Sequence, residues 1–385
     1  MTSSIFKSRP NLVLQKCIAA WMACVLLTGC WDSREIEDLS IILGVAIDLD
    51  QDSLKLTYQH LIAQKQRKNE YINVTTFNKT SIQNASSEEA KQVAHAPLYN
   101  FIRLILISDE VLRKTRIDQL LDTYTRSYKP SRNSVIMVVK GSAQEALAKT
   151  GKHKDMASID LQDLSQNSAL NTKIPEKITL GEVSIRISQG ADLLIQRLNT
   201  GKEGNRLAGA ALISGQTKKF AGWLQGDDVS GINWMLGNTK GAVIETEDPR
   251  TKQTMVFEVD EVKSKLIPHV KGQDISFTVR IKAVLKLNEI RIVSADLLKE
   301  SFLSTAKEAA QEEIKETVLR SIRKLQKERK TDVADFRTRL KVKYPATWDR
   351  VKNSWPDTFS EIPVHVQVQA EIEQTGAYSK GAGAK

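Results

Sequence analysis

Residues 275–287 read ISFTVRIKAVLKL, and residues 362–372 near the end of the chain read IPVHVQVQAEI. In both stretches apolar residues occupy nearly every second position, which is typical of a strand with one buried face and one wetted face. Between them, residues 296–329 predict one long helix, because an apolar stripe recurs at helical spacing. The stripe consists of Phe302, Ala306, Ala310, Ile314, Val318, Ile322 and Leu325. Together these patterns predict an antiparallel sheet with one long C-terminal helix packed across it.

The first half of the chain alternates short strand patterns with short helix patterns. Buried strands are predicted at 41–47, 103–107 and 134–140, half-exposed strands at 54–58 and 74–80, and helices at 87–94, 117–124 and 143–149. The polar turn at 48–52 joins the first two strands as a hairpin. This alternation predicts an α+β fold, with mixed or antiparallel sheets packed against helices.

A polar stretch with two glycines, NTGKEGN at 199–205, separates the apolar segments of the two halves. We therefore expect a multi-domain chain, with an N-terminal α+β domain at 30–200 and a C-terminal α+β domain at 201–385. A further split of the second domain near 265–275 stays an alternative. The composition, with 41% hydrophobic and 26% charged residues, is typical of a globular protein.

The sequence carries none of the short motifs that mark common catalytic and cofactor sites. It has no P-loop, no G-x-G-x-x-G, no H-E-x-x-H, no G-x-S-x-G and no C-x-x-C. Its three cysteines are Cys17, Cys24 and Cys30. The body of the protein therefore has no thiol for a disulfide framework, a cysteine zinc site or a cysteine nucleophile. We predict no enzyme activity, no catalytic or metal-binding residues and no cofactor.

Two other groups of polar residues have simple structural interpretations. The histidines His60, His95, His153, His269 and His365 lack the spacing of metal ligands, so we expect them at the surface or the edge of the core. Asp227 and Asp228 lie in the stretch GDDVSG at 226–231. Too few oxygen ligands accompany them for a calcium loop, so this stretch is predicted to form a turn.

Residues 1–29 have the pattern of an export signal. They contain Lys7, Arg9, Lys16 and no acid, and an apolar run extends from residue 17 to residue 29. This run is shorter than the roughly 20 residues of a membrane-spanning helix and fits a signal peptide. The boundary LTGC at 27–30 resembles a lipobox, which predicts cleavage before Cys30 and lipidation of its thiol. Two acyl chains anchor a protein durably, where one does not. The alternative is an uncleaved signal anchor with an incidental cysteine.

The chain is basic, and its positive charge is concentrated near the C-terminus. The net charge is +10 for the whole chain, and it becomes +7 without residues 1–29, which carry three bases and no acid. Residues 320–343 alone hold ten bases against three acids. One interpretation is a solvated helix end whose bases suit the helix dipole. The other is contact with anionic lipid headgroups or an acidic partner. Nucleic acid is not expected as a partner, because the export signal directs the protein out of the cytoplasm.

The start of the predicted mature chain resembles a known family. Cys30-Trp31-Asp32, Arg34-Glu35, Asp38-Leu39 and the strand LGVAID at 43–48 are similar to the beginning of mature Ger(x)C-family spore germination lipoproteins. Further similar features are Gly209-Ala210-Ala211, Gly222-Trp223-Leu224 and the tail with Pro345, Trp348, Trp355 and Phe359. The chain departs from the family at 333–337, VADFR, where members commonly have a glycine-bearing stretch.

The resemblance implies a C subunit of a spore nutrient germinant receptor, with a multi-domain α+β fold and no known catalysis. Such subunits are held on the outer face of the spore inner membrane by a diacylglyceryl anchor, with palmitate as an expected acyl chain. They work beside two integral membrane subunits, one channel-like and one transporter-like. Cys30 carries over as the lipidation site, and no ligand-binding residue carries over.

Two other functions stay open from the sequence. An extracytoplasmic solute-binding lipoprotein would capture a small molecule itself, and a deep cleft with convergent polar groups would favour it. A secreted hydrolase is the third candidate, and the missing catalytic motifs count against it.

Overall fold

A computed structural model of the chain describes residues 39–62, 71–79, 81–92, 95–126, 131–149, 156–290 and 300–373. The strands are β1 (Leu39–Asp50), β2 (Ser53–Ile62), β3 (Tyr71–Lys79), β4 (Ala96–Leu98), β5 (Leu104–Ser108), β6 (Val135–Lys140), β7 (Ile178–Thr179), β8 (Leu193–Gly201), β9 (Gly204–Ile213), β10 (Phe220–Leu224), β11 (Val243–Glu247), β12 (Thr254–Lys271), β13 (Asp274–Ile290) and β14 (Val364–Glu373). The α-helices are α1 (Ile82–Gln92), α2 (Asp109–Lys114), α3 (Ile117–Arg126), α4 (Ala143–Ala148), α5 (Ala157–Leu164), α6 (Leu180–Ser188), α7 (Gly226–Leu236), α8 (Glu300–Arg323), α9 (Phe336–Lys343), α10 (Pro345–Val351) and α11 (Trp355–Glu361). A π-helix covers Lys324–Arg329, and short 3-10 helices cover Tyr99–Phe101, Ser165–Leu170 and Lys352–Ser354.

The first sheet has a parallel centre and antiparallel edges. Its order is β10-β9-β8-β6-β5-β1-β2-β3, with β4 beside β1 and β7 beside β6. β1 pairs in parallel with β5, β5 with β6, and β6 with β8. Residues 42–48 of β1 are all buried, which explains the unbroken apolar run of this strand. The predicted strand at 41–47 and its hairpin with β2 are confirmed.

The polar stretch at 199–205 forms a hairpin inside the first sheet. β8 and β9 pair in antiparallel register down to Gly201 and Gly204, and β10 extends the same sheet to Leu224. Hydrogen bonds of one sheet therefore cross residue 200, where the sequence predicts the boundary between the two domains. That boundary stays a prediction. Residues 265–275 likewise lie at the tip of the β12–β13 hairpin.

The second sheet has the order β11-β12-β13-β14 and packs against α8. The predicted apolar stripe of this helix is largely buried, from Ala306 to Leu325. The α+β fold class and the long C-terminal helix are thus confirmed. The prediction of an antiparallel sheet is wrong for its last pair, because β14 runs parallel to β13. A long helical connection can return the chain to the same end of a sheet, which a tight turn cannot do.

The segment between the π-helix and α9 contains two residues with positive φ. Lys330 has φ 50° and Asp335 has φ 65°, a region that favours glycine. Asp335 lies within residues 333–337, the stretch in which this chain lacks the glycine that the resemblance leads us to expect. The backbone at Asp335 therefore adopts a conformation to which glycine would be suited. The side chains of Val333, Ala334 and Phe336 are buried between these turns and the second sheet, which compensates the backbone strain.

Asp227 and Asp228 lie in the first turn of α7, so the prediction of a turn at 226–231 is wrong. The Gln225 side chain accepts a hydrogen bond from the Asp228 backbone, and the Asp228 carboxylate accepts one from the Gln225 backbone. Carboxylates in a first turn are also stabilised by the helix dipole. In the part of the chain that the structure covers, no helix is long and apolar enough to cross a membrane.

Candidate functional site

The predicted lipidation site, Cys30, lies outside the described residues. The signal peptide predicted at 1–29 lies outside them as well. The predicted basic segment at 320–343 is fully described, and it occupies the end of α8, the π-helix, the following loop and α9.

The basic segment is divided by ion pairs rather than forming one continuous cationic face. Lys327 Nζ lies 2.9 Å from Glu361, and Lys330 Nζ lies 2.7 Å from Asp357, both acids belonging to α11. The hydrogen bond from Lys327 also holds the pKa of Glu361 below its ordinary value. Exposed pairs of this kind add little stability, about 0–1 kcal/mol, but they neutralise charge locally.

Within the basic segment, the exposed cations that pair with no acid among the described residues lie at the end of α8, at Arg320 and Arg323, and on α9. Arg339 and Lys341 point to solvent beside Val342, which is 77% exposed. Lys343 donates to the backbone carbonyl of Pro268 on β12 at 3.2 Å. The net positive surface of the segment is therefore divided between the end of α8 and the short helix α9.

Asp332 is the centre of a buried polar junction that follows the basic π-helix. Its side chain is 2% exposed. Its Oδ1 accepts from the backbone N–H of Phe336 at 3.0 Å, and its Oδ2 accepts from that of Arg337 at 2.6 Å. The indole N–H of Trp355 donates to the same Oδ2 at 3.2 Å. Asp332 therefore holds the start of α9 and the start of α11 together.

The same junction connects the C-terminal helices to the first sheet. The backbone N–H of Asp332 donates to Asp192 Oδ2 at 2.7 Å, and Gly215 N–H donates to Asp192 Oδ1 at 2.7 Å. The Arg337 guanidinium donates to the carbonyls of Gln189, at 2.8 Å, and Gly190. These carbonyls follow α6, where a helix end leaves acceptors without intrahelical partners. The two halves of the chain are thus joined by directed hydrogen bonds.

Burial sets the electrostatics of this junction. Desolvation raises the pKa of Asp332 from 3.8 to about 7, although the two backbone hydrogen bonds act in the opposite direction. Burial likewise raises the pKa of Asp192, while the Arg337 charge lowers it. The charge of the neighbouring Asp192 carboxylate also raises the pKa of Asp332.

A second polar cluster is buried in the first sheet around His60 of β2 and Glu89 of α1. His60 is 1% exposed and Glu89 is 0% exposed. The imidazole Nδ1 lies 2.8 Å from Ser40 Oγ, and its Nε2 lies 2.7 Å from Thr75 Oγ1. Glu89 Oε2 accepts a 2.6 Å hydrogen bond from the Tyr99 hydroxyl, and Glu89 Oε1 lies 3.3 Å from His60 Nε2.

Burial shifts the two pKa values of this pair in opposite directions. It lowers the pKa of His60 from 6.5 to about 4 and raises the pKa of Glu89 from 4.5 to about 7. Between about pH 4 and about pH 7 the pair is therefore held as an uncharged imidazole beside a carboxyl group that retains its proton. This state avoids placing two charges in the core.

The expectation that the histidines lie at the surface or core edge is wrong for His60. His269 and His365 are exposed and His95 is half-buried, as predicted, and His153 lies outside the described residues. A sequence signal for His60 exists, because the period of two along β2 places it on the same face as Leu56 and Tyr58. Among the described residues, no group of three His, Cys, Asp or Glu could hold a metal ion.

The chain is similar to spore germination proteins along nearly its whole length. Residues 32–200 match the family model "Spore germination protein N-terminal domain", and residues 208–376 match "Spore germination B3/GerAC like, C-terminal". Three relatives from Bacillus subtilis (strain 168) illustrate the likeness. They are spore germination protein YndF (28% identical, covering 98% of this chain and 99% of the relative), B3 (29%, 92% and 96%) and A3 (27%, 95% and 98%).

A solved structure supports the same architecture. The crystal structure of the GerBC protein matches with a TM-score of 0.60 and 24% sequence identity, covering 86% of this chain and 96% of that chain. At this identity the match shows the fold alone.

Proposed function

The chain belongs to the Ger(x)C family of spore germination proteins, and from that membership we propose that it is a lipid-anchored, non-enzymatic subunit of a spore nutrient germinant receptor. The observation that carries the proposal is the succession of both family models along one chain, in the order 32–200 and then 208–376. The absence of catalytic motifs from the sequence is in keeping with a role in assembly and signalling.

In this proposal the acyl chains on Cys30 hold the protein on the outer face of the spore inner membrane. The family resemblance implies channel-like and transporter-like integral membrane subunits as partners. Confining the body to the membrane surface raises its effective concentration near such partners, so weak contacts suffice for assembly. The junction of Asp192, Asp332 and Arg337 supports this role, because it lets the two halves dock as one body.

Replacing Cys30 tests the anchor. We expect Cys30→Ala to leave the membrane fraction of spores and to abolish the nutrient response, because the thiol that would be acylated is lost. The measurements are membrane fractionation and loss of spore refractility after nutrient addition. Cys24→Ala is the matched control, since Cys24 lies inside the predicted leader and should be dispensable. Retention of both membrane association and response by Cys30→Ala would contradict the proposal.

We further propose that the exposed bases of α9 contact anionic lipid headgroups. Arg339→Gln with Lys341→Gln, made in the soluble Cys30→Ala chain, should weaken binding to phosphatidylglycerol-containing vesicles. At about 1 kcal/mol for each base near an anionic surface, the expected loss is about 30-fold. Lys327→Gln with Lys330→Gln removes the same number of bases from residues that already pair with acids. Equal losses for the two double variants in vesicle sedimentation would refute a specific role for α9.

A further inference from the structure

A cavity of about 490 Å³ lies between strands β8 and β9 of the first sheet and the start of α7. Its lining includes the bases Arg197, Arg206 and Lys173, and no carboxylate among the described residues. Lys173 already pairs with Asp227 at 2.8 Å, which leaves the two arginines as the cations of this space. The cavity has the size of ordinary small-molecule sites, about 300–1,000 Å³.

Arg197 is a buried cation without a counter-charge in the part of the chain that the structure describes. It is 7% exposed, and its only side-chain hydrogen bond there runs from Nε to Asn199 Oδ1 at 3.0 Å. Its guanidinium carbon lies 5.3 Å from the ring centroid of Trp223, a contact that offsets part of the desolvation. Burial lowers the pKa of Arg197, and no acid acts against that shift. The terminal nitrogens are thus free to donate, and a buried charge in this state is costly.

The pairing of β8 is irregular at Arg197 on its β9 side, while the Arg197 backbone stays paired with Val138 of β6. β8 pairs with β9 at Gln196↔Ala210 and then at Leu198↔Leu207, so two residues of β9 stand opposite Arg197 alone. Such a bulge re-aims a side chain, and bulges are common beside binding sites. The bulge requires glycine at 209, where φ is +83° and a Cβ would approach the Leu224 carbonyl oxygen to 2.3 Å.

We propose that this cavity binds a small organic carboxylate, whose anionic group pairs with the Arg197 guanidinium. The fixed fork of N–H donors in a guanidinium matches the two oxygens of a carboxylate. Arg206 at the rim raises the local positive potential, and the side chains of Asn199 and Gln225 offer polar contacts. Leu164, Ile174 and Leu207 supply an apolar wall for the body of the ligand. This site is independent of the proposed assembly role.

The test is binding of acetate, succinate and benzoate to the Cys30→Ala chain, measured by calorimetry and by ligand-observed NMR. Acetamide, succinamide and benzamide are the matched uncharged probes. We expect saturable binding of at least one carboxylate and none of its amide. Arg197→Gln should weaken that binding at least tenfold and Arg206→Gln about threefold, whereas Arg250→Gln, on an exposed turn, should leave it unchanged. Inorganic phosphate serves as the competing oxyanion.

A second variant separates loss of the site from loss of the fold. Ala208→Phe fills the cavity without removing the guanidinium, and it should abolish carboxylate binding while thermal unfolding stays cooperative. Binding of none of the three carboxylates would overturn the proposal, as would unchanged binding by Arg197→Gln. Saturable binding of phosphate with no binding of the carboxylates would overturn the ligand class.

Discussion

Asp332→Ala is expected to lower the free energy of unfolding by about 3 kcal/mol, because buried donors left without an acceptor cost about 1–3 kcal/mol each. Its carboxylate accepts from the backbone N–H groups of Phe336 and Arg337 and from the indole N–H of Trp355. Alanine leaves these three donors facing each other in a site closed to water. The measurement is chemical denaturation of the soluble Cys30→Ala chain, followed by tryptophan fluorescence.

Asp332→Asn provides a graded comparison at the same position. Its amide oxygen can replace Oδ2, which serves Arg337 and Trp355, but its amide nitrogen then meets the Phe336 N–H donor. We therefore expect the asparagine variant to be less destabilised than the alanine variant. Asp357→Ala is the control, because Asp357 makes an exposed pair with Lys330 that is worth about 0–1 kcal/mol. Similar losses for Asp332→Ala and Asp357→Ala would contradict a structural role for the junction.

The Asp332→Asn variant should also change how stability depends on pH. Between pH 3.8 and about 7 the folded protein keeps a proton on Asp332 that the unfolded chain has released. The contribution of this group to the free energy of unfolding therefore falls as the pH rises through that window. Asparagine does not titrate, so the variant should show a shallower decline over the same range.

The helices and strands that have a clear local pattern of apolar residues were predictable from the sequence. The buried run of β1, the apolar stripe of α8 and the alternation of β14 follow directly from residue periodicity. The parallel pairing of β13 with β14 was not predictable. The alternation of apolar and polar residues indicates which face of a strand is buried, but it does not indicate whether the neighbouring strand runs parallel or antiparallel. The start of α7 was missed because an Asp-Gly stretch favours both turns and helix caps.

The candidate sites depend on contacts between residues far apart in the chain. Asp192 and Asp332 meet across 140 residues, and Lys327 meets Glu361 across 34 residues. No local motif encodes such contacts, so the sequence pattern indicated one continuous charge cluster in the basic segment. No local sequence pattern marks Arg197, and the bulge opposite it in β9 becomes visible only in the paired strands. The sequence signal closest to that bulge is Gly209, in a stretch that contributes to the family resemblance.

The buried pair of His60 and Glu89 leads to the second large effect, on the pH dependence of stability. Between pH 4.5 and 6.5 the folded pair holds one proton, on Glu89, since the two pKa values are about 7 for Glu89 and about 4 for His60. The unfolded chain also holds one proton in this range, on the histidine. Because the two states bind equal numbers of protons, the pair contributes no pH dependence there.

Single substitutions should expose two opposite slopes. In Glu89→Gln the folded imidazole stays neutral while the unfolded one is protonated, so the free energy of unfolding should rise with pH between about 4 and 6.5. In His60→Gln the folded Glu89 keeps a proton that the unfolded chain releases, so the free energy of unfolding should fall with pH between 4.5 and about 7. The limiting slope is about 1.4 kcal/mol per pH unit in each case.

The double variant separates the effect of titration on stability from the effect of packing. With neither group able to titrate, Glu89→Gln with His60→Gln should restore a flat profile, whatever stability the substitutions remove at every pH. Tyr99 can still donate to the amide oxygen of the glutamine introduced at position 89, which preserves the 2.6 Å contact that positions α1 against the sheet. Urea unfolding of the four proteins at pH values from 4.5 to 6.5 provides the measurement. Parallel, flat profiles for the two single variants would contradict the shifted pKa values, because each remaining group would then titrate alike in the folded and unfolded chains.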